Sequence, residues 1–449
     1  MGGGKDWSRS EGEHSREILP GWIREIMGPM FLMTSTPMFI MVVVHTCHKF
    51  GGSLLECLDY MFKNPAWMLP FSKKSMWMSP IDPEAWKMIG SFMIFELMLM
   101  RIVPGKEFRA TMTSTGHIPI YKANGVQCLF ISIITFIALG YCDIIQPGEV
   151  YDKFGEILAA LNLFALIFCT FLTFKGHYFP STADSGSTGN TVLDFYWGTE
   201  LYPRVLGWDL KQFTNCRFGM MYWAIGPIAY AWKQYEMYGH VSDSMIVSVV
   251  LQLVYVTKFF WWETGYFCSM DIQHDRAGYY ICWGCLCWVP AVYTSQSFYL
   301  VAHPVQLGRP LALTILLVGI LMIWINYDSD RQRQAFRRNT KEKIWGRTPD
   351  KIDAQYTTTD GSVRHSALLA SGWWGLARHF HYLPEVFAAF CWSVPALFHN
   401  FLPYFYVIFL TMLLIDRANR DDARCACKYT KYWDMYCNKV PYKIVPLVY

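Results

Sequence analysis

GEILAALNLFALIFCTFLTFK, residues 155–175, carries no charge between Glu156 and Lys175. A helix crosses a bilayer with about 20 largely apolar residues, and this stretch supplies them. Apolar runs of similar length recur near 28–48, 84–103, 125–146, 216–234, 245–267, 278–302 and 307–327. The region 386–415 is apolar too, but Pro395 and Pro403 break it, so it reads as one kinked span or a hairpin pair. Continuous runs exclude a transmembrane barrel, whose strands alternate over short segments. The expectation is an all-α, polytopic membrane protein with about ten transmembrane helices.

Composition agrees. Of 449 residues, 53% are hydrophobic and 16% are charged, against about 25% charged in soluble domains. Aromatics reach 17%, which suits many membrane interfaces. Net charge is only +4, so overall charge points to no particular partner, and no nucleic acid is expected. The first 27 residues are polar, so the first span is expected to act as the targeting signal. The fourteen cysteines show no disulfide framework. Most lie in apolar runs, where cysteine acts as a small hydrophobe. CWGCLC (Cys282–Cys287) has C-x-x-C spacing inside an apolar run without histidines, so no metal is expected.

The chain divides into a polar segment, 1–27, and one membrane domain, 28–449. Three polar stretches interrupt that domain: 175–204, 328–366 and the tail from Asp416. Between Arg331 and Arg347 stand seven basic residues against one acidic, Glu342. Such a loop favours the cytoplasmic side and attracts anionic lipid. It also suits a phosphorylated ligand: Arg333 and Arg337, four apart, share a helix face, and guanidinium binds phosphate bidentately. DSGSTGN (Asp184–Asn190) lacks the spacing of a dinucleotide-binding fingerprint. A nucleotide would therefore use a pocket of helix ends and basic segments, with the cofactor-binding part in 328–449.

FFWWETGYFCSMDIQHDRAGYY (Phe259–Tyr280) places Glu263, Asp271, His274, Asp275 and Arg276 around the end of a span. Ionisable groups at membrane depth are costly and are functional candidates, unless they form a satisfied interfacial loop. Glu263 is the deepest and is expected to be a desolvated carboxyl suited to proton donation. Glu96 and Arg101 read as a structural pair or interface anchors.

Four longer segments carry a resemblance: FYWGTELYPR (Phe195–Arg204), MDIQHDRAGYYICWGCLCWVP (Met270–Pro290), SGWWGLARHFHY (Ser371–Tyr382) and RDDARCACKY (Arg420–Tyr429). They are similar to the sterol reductase superfamily of lamin B receptor and the C14 and C24 sterol reductases. YLVAHPVQLG (Tyr299–Gly308) and the ending VPYKIVPLVY resemble the plant-type branch that reduces C7=C8 of 5,7-diene sterols. The resemblance implies a multi-pass endoplasmic reticulum enzyme of sterol biosynthesis that uses NADPH. Its partners would be a sterol, membrane lipid and other sterol-pathway enzymes. The cofactor positions it implies are Arg337, Leu369, Trp374, Tyr382, Asp421, Cys425, Ala426, Cys427, Lys428, Tyr429 and Tyr436. Arg333 stands where some relatives have lysine, and His381 where others have asparagine. Tyr202 replaces the asparagine of LNPR, and Thr430 the glycine after Lys-Tyr. Trp261, Trp262, Glu263 and Thr264 stand where C14 reductases show Trp-Tyr-Glu-Glu.

Reduction of a carbon–carbon double bond needs a hydride and a proton. Glu263 or Asp421 is expected in the proton relay, with Asp271 and His274 as second choices. The alternatives are a C14 or C24(28) sterol reductase, a non-enzymatic sterol-binding membrane protein, and a membrane methyltransferase with a similar C-terminal layout.

Overall fold

The computed structural model describes residues 20–68, 76–113, 115–357 and 363–449. Most of the expected polar N-terminal segment, residues 1–19, lies outside the described residues. The described chain is mostly helical and forms two compact units. One comprises Leu19–Ala312 with Ser393–Phe405, and the other Leu313–Trp392 with Tyr406–Tyr449.

Among the described residues, four helical segments are long and apolar enough to cross a membrane: Ile23–Lys49, Phe154–Tyr178, Asp243–Trp261 and Arg309–Arg338. Phe154–Tyr178 shows the pattern. Leu158, Leu161, Ala165, Cys169 and Leu172 are buried on one face, while Ile167, Phe171 and Phe174 stand exposed on another. A helix apolar on both faces belongs in lipid. Shorter elements complete the apolar runs. Pro83–Ile102 starts on a proline, with Asp82 Oδ1 accepting from the Ala85 N–H at 2.9 Å. Gly125–Tyr141 and Met220–Tyr238 follow the expected runs.

One run differs from the reading as a single helix, and the proline-bearing run divides at its two prolines. Residues 279–302 divide into Tyr279–Trp283, a π-helix over Gly284–Tyr293 that contains Pro290, and Ser295–Ala302. Residues 382–429 form Tyr382–Ser393 and Phe405–Tyr429, with 3₁₀ turns at Val394–Ala396 and Leu402–Tyr404 between them. Pro395 and Pro403 lie in those turns, where their missing N–H groups end helical hydrogen bonding.

Polar side chains satisfy one another inside the first unit. Gln252 accepts from Trp223 Nε1 at 3.0 Å and from Gln296 Nε2 at 3.0 Å, and donates to Ser297 Oγ at 2.7 Å. That junction joins three helices. A second π-helix, Phe213–Gly219, meets Gly284–Tyr293; a Cβ on Gly219 would lie 2.8 Å from the Cys285 carbonyl oxygen. FYWG and HDRAG meet backbone to backbone, since a Cβ on Gly278 would lie 2.3 Å from the Gly198 nitrogen.

The expectation of an all-helical chain needs one correction. Among the described residues, three two-stranded antiparallel sheets occupy the polar connections. They are β1 (Lys106–Arg109) with β2 (Ile120–Ala123), β3 (Arg204–Val205) with β4 (Trp208–Asp209), and β5 (Lys351–Thr357) with β6 (Val363–Leu369). Outside the apolar core the chain can leave backbone edges to water, which a lipid-exposed strand cannot do.

The helix over Phe405–Tyr429 ends where Thr430 turns to φ +47° before Lys431–Lys439 begins. A β-branched residue is strained there and glycine is not. Thr430→Gly should therefore stabilise the protein by about 1 kcal/mol. Thermal denaturation in detergent reads the change; an unchanged or lower midpoint would show that Thr430 carries no removable strain.

Candidate functional site

The unit formed by Leu313–Trp392 and Tyr406–Tyr449 gathers most of the sequence-selected residues. Its scaffold is the C-terminal part of the Arg309–Arg338 helix, where apolar residues give way to NYDSDRQRQAFRR (Asn326–Arg338). Trp374 Nε1 donates to the Ser329 carbonyl at 2.8 Å, and Trp373 Nε1 to Asp328 Oδ2 at 2.8 Å. Gln332 braces Asp328 and accepts from the Trp373 N–H. Gly372, at φ +61°, lies where a Cβ would be 2.1 Å from Gln332 Oε1. Asn326 Nδ2 donates to the His381 carbonyl at 2.8 Å.

The other side of the stretch is tied to the C-terminal segment. Arg378 Nη1 donates to the Val440 and Pro441 carbonyls at 2.9 and 3.0 Å. The backbone N–H groups of Arg378 and His379 donate to the Tyr442 and Lys443 carbonyls. Held from two sides, the stretch presents a row of rings. The Arg333 guanidinium lies 4.7 Å over Trp374, and Trp374 is 4.9 Å from His381. Tyr382 is 4.2 Å from His381 and stacks on His379 at 5.3 Å and 8°. Tyr436 donates to the Trp374 carbonyl at 3.5 Å. Leu369 is buried with Phe336, Ile344 and Trp374.

Asp421 comes from the polar half of Phe405–Tyr429, beyond its apolar stretch. It pairs with Arg424, and its Oδ2 lies 3.9 Å from His379 Nε2 and 3.9 Å from Cys425 Sγ. Burial alone would raise the Asp421 carboxyl, but Arg424, His379 and Arg333 prevail and hold it below the usual carboxylate range. Burial pushes the His379 imidazole down to about 4, against the pull of Asp421. At neutral pH the pair is therefore a carboxylate beside a neutral imidazole.

The remaining sequence-selected positions divide. Lys428 lies 4.2 Å over Tyr356 and 5.2 Å over Tyr429, and Tyr429 and Tyr436 are buried against β5 in one cluster. Ala426 and Cys427 are exposed. Arg337 is exposed in the last turn of its helix, one turn from Arg333. Two arginines and stacked aromatic planes fit an anionic cofactor carrying an aromatic ring, and the carboxylate can accept from its N–H or O–H groups.

Glu263, Asp271 and His274 belong to the other unit. Glu263, expected as a deep, desolvated carboxyl, is 2% exposed and has partners on both oxygens. Its Oε1 accepts from Arg217 Nη1 at 2.6 Å, and its Oε2 from the Gly125 N–H at 2.8 Å. Arg217 is fully buried and also donates to Asn124 Oδ1 at 2.7 Å. Asn124 in turn donates to the Val103 carbonyl at 2.9 Å. A cavity of about 280 Å³ reaches Glu263, lined also by Lys106, Gln127, Phe260, Trp261 and Thr264. Asp271 is half-buried and His274 exposed, on a loop anchored by buried Lys211, which donates to the Ile272 and Asp275 carbonyls at 2.9 and 2.6 Å. Glu96 and Arg101 do not pair: Glu96 accepts from Ser132 at 2.5 Å, and Arg101 lies 5.4 Å over Trp208.

Sequence reasoning passed over Arg217, His379, Lys211, Asp328 and Gln332. Arg217 carried a usable signal, a lone arginine at the head of an apolar run. His379 carried another, an Arg-His pair between aromatics.

Comparison with known proteins gives a consistent picture. The pattern of the ergosterol biosynthesis ERG4/ERG24 family matches residues 24–449. A protein named 7-dehydrocholesterol reductase from Arabidopsis thaliana is 54% identical over 420 residues, covering 93% of this chain and 96% of the relative. One of the same name from Xenopus laevis is 34% identical, covering 93% and 91%. A protein named Delta(14)-sterol reductase from Methylotuvimicrobium alcaliphilum is 33% identical, covering 83% and 85%.

Two measurements follow. Arg217→Met leaves Glu263 buried without its cation and should cost about 3–5 kcal/mol, whereas Arg217→Met with Glu263→Met should recover most of that loss. A double variant as unstable as the single would show that the pair is not the unit being lost. Between pH 6.5 and about 4 the unfolded chain binds a proton on His379 that the fold refuses. Stability should therefore fall with pH across that window, and His379→Gln should flatten the fall in thermal midpoint.

Proposed function

We propose that this chain, which belongs to the ergosterol biosynthesis ERG4/ERG24 family, reduces the C7=C8 double bond of 5,7-diene sterols with NADPH. The observation that carries the substrate is the 54% identity to the Arabidopsis thaliana 7-dehydrocholesterol reductase over nearly its whole length. The bacterial Delta(14)-sterol reductase is similar at 33%, so the C14 alternative is less favoured. The enzyme is an oxidoreductase acting on a CH–CH group of sterols. Its proposed setting is the endoplasmic reticulum membrane, crossed about ten times, in the company of other sterol-pathway enzymes.

The reaction adds a hydride to one carbon of the double bond and a proton to the other. NADPH, when bound, supplies the hydride. Arg333 and Arg337 would hold its phosphates; the additional 2′-phosphate is the reason for NADPH over NADH. Trp374, His381 and Tyr382 would flank its rings, with Leu369, Tyr436 and the run Cys425–Tyr429 framing the site. Ala426 and Cys427 are exposed, so in this reading they contribute backbone rather than side chains. Asp421 would hold the proton. Both Glu263 oxygens are already engaged, by Arg217 and by Gly125, which makes Glu263 the weaker choice of acid. Asp271 and His274 rank behind it.

Microsomes that express the chain, supplied with 7-dehydrocholesterol and NADPH, should lose the ultraviolet absorbance of the 5,7-diene. Persistence of that absorbance with folded protein present would sink the C7 assignment. Neutral replacement of both Arg333 and Arg337 should raise the NADPH requirement at least tenfold, given about 1.5–3 kcal/mol for a hydrogen bond to a charged group. An unchanged requirement would remove the two arginines from the site.

A further inference from the structure

His379 is assigned no role by the reading above, yet it is the side chain closest to the Asp421 carboxyl on the aromatic row. It is 4% exposed. Its ring stacks face to face on Tyr382, and its backbone N–H is fixed to the Lys443 carbonyl. Nε2 has no hydrogen-bond partner and lies 3.9 Å from Asp421 Oδ2. A gap of that size is longer than a direct bond, and such contacts commonly tighten when a site fills. We propose that His379 is the positioning residue of the acid, sharing one proton with Asp421 between Nε2 and Oδ2 and delivering it through the carboxyl. The inference rests on the reductase reading of this unit.

The proton balance is simple. At rest the pair is a carboxylate and a neutral imidazole, with net charge −1. When a negatively charged cofactor fills the site and offsets Arg333, the pair takes one proton from water and becomes neutral. In the reaction that proton moves to one sterol carbon while the cofactor's hydride moves to the other, the C7=C8 π bond is lost, NADPH is oxidised, and the pair returns to −1. Two groups this close titrate together, so the pair has a proton affinity that neither residue has alone.

The surroundings set that affinity. Asp421 and Asp422 face the imidazole from the Phe405–Tyr429 helix, Arg333 from the Arg309–Arg338 helix, and Arg378 from its own segment. Arg378 is itself 3.4 Å from Asp422, and Lys443 is 3.5 Å from Asp422. Asp422 is therefore neutralised from two sides. Arg424 pairs with Asp421 through Oδ1, leaving Oδ2 toward the imidazole. What remains to respond to a proton is His379 with Asp421.

The test compares wild type with His379→Gln, which keeps an N–H donor but cannot titrate. NADPH affinity, read by fluorescence without turnover, should stay within about twofold, since Arg333, Arg337 and Trp374 are untouched. Turnover should fall by about tenfold or more, within the range for a lost acid–base partner, and the pH at which kcat is half-maximal should move. His379→Ala should fall further and recover in part with added imidazole. Wild-type kcat and an unmoved pH profile in His379→Gln would overturn the proposal, as would loss of NADPH binding in parallel with kcat, which marks a purely structural residue. Failure of the wild type to bind NADPH would instead remove the reductase reading beneath it.

Discussion

The ion pair of Arg217 with Glu263 is the contact on which the larger unit turns. Both side chains are almost wholly buried within the bundle. An isolated charge there costs several kcal/mol. The pair stands because its outer atoms are also used: Asn124 accepts from the guanidinium, and the first N–H of Gly125–Tyr141 donates to the carboxylate. Asn124 then reaches carbonyls at the end of Pro83–Ile102. One charge pair thereby fixes the end of one helix, the start of another, a π-helix and the turn after Trp261. Gly125 must be small for this, since a Cβ would lie 2.8 Å from Glu263 Oε2.

The same logic runs through the rest of the bundle. Apolar surface alone does not choose a partner in lipid, because the tails are as apolar as leucine. Specific pairing needs close backbone approach or polar contacts. Gly198 against Gly278 and Gly219 against Cys285 supply the first. The Gln252 junction and the Arg217 pair supply the second. The smaller unit uses hydrogen bonds differently. There Asp328, Gln332 and Asn326 hold a short irregular stretch in place from one side, and the backbone of Val440–Lys443 holds it from the other.

Much of this was legible in the sequence. Length and apolarity of the runs place helices at nearly every expected position, because in lipid a single chain must satisfy its own backbone. Breaks in those helices were only partly legible. Pro395 and Pro403 announce themselves, but nothing in a run such as CWGCLCWVP distinguishes a π-helix from an α-helix. The hairpins escaped notice because β5 and β6 are short, polar and charged. Glu263 was visible as a costly charge, but its partner lies 46 residues earlier in the chain, and spacing cannot pair residues so far apart. Asp421 beside Arg424 follows from their spacing of three on one helix, but that Arg333 stacks on Trp374, 41 residues away, required the fold. That His379 faces Asp421 required the fold.

The stretch SGWWGLARHFHYLPE mixes rings and charges because alternate residues answer to different neighbours. Trp373 and Arg378 are spent on Asp328 and on the C-terminal carbonyls. Trp374, His379, His381 and Tyr382 form the row that faces Arg333 and Asp421. His381 shows what this division permits. Its main-chain carbonyl is held by Asn326 whatever its side chain, so the backbone path does not depend on the residue there. Its ring fills the space between Trp374 and Tyr382, 4.9 and 4.2 Å away. Asparagine, the residue that the family resemblance leads one to expect here, offers a smaller plane with the same capacity to donate and accept a hydrogen bond. Imidazole keeps that capacity and adds stacking surface. The exchange therefore alters how firmly the aromatic row is set more than what it can recognise.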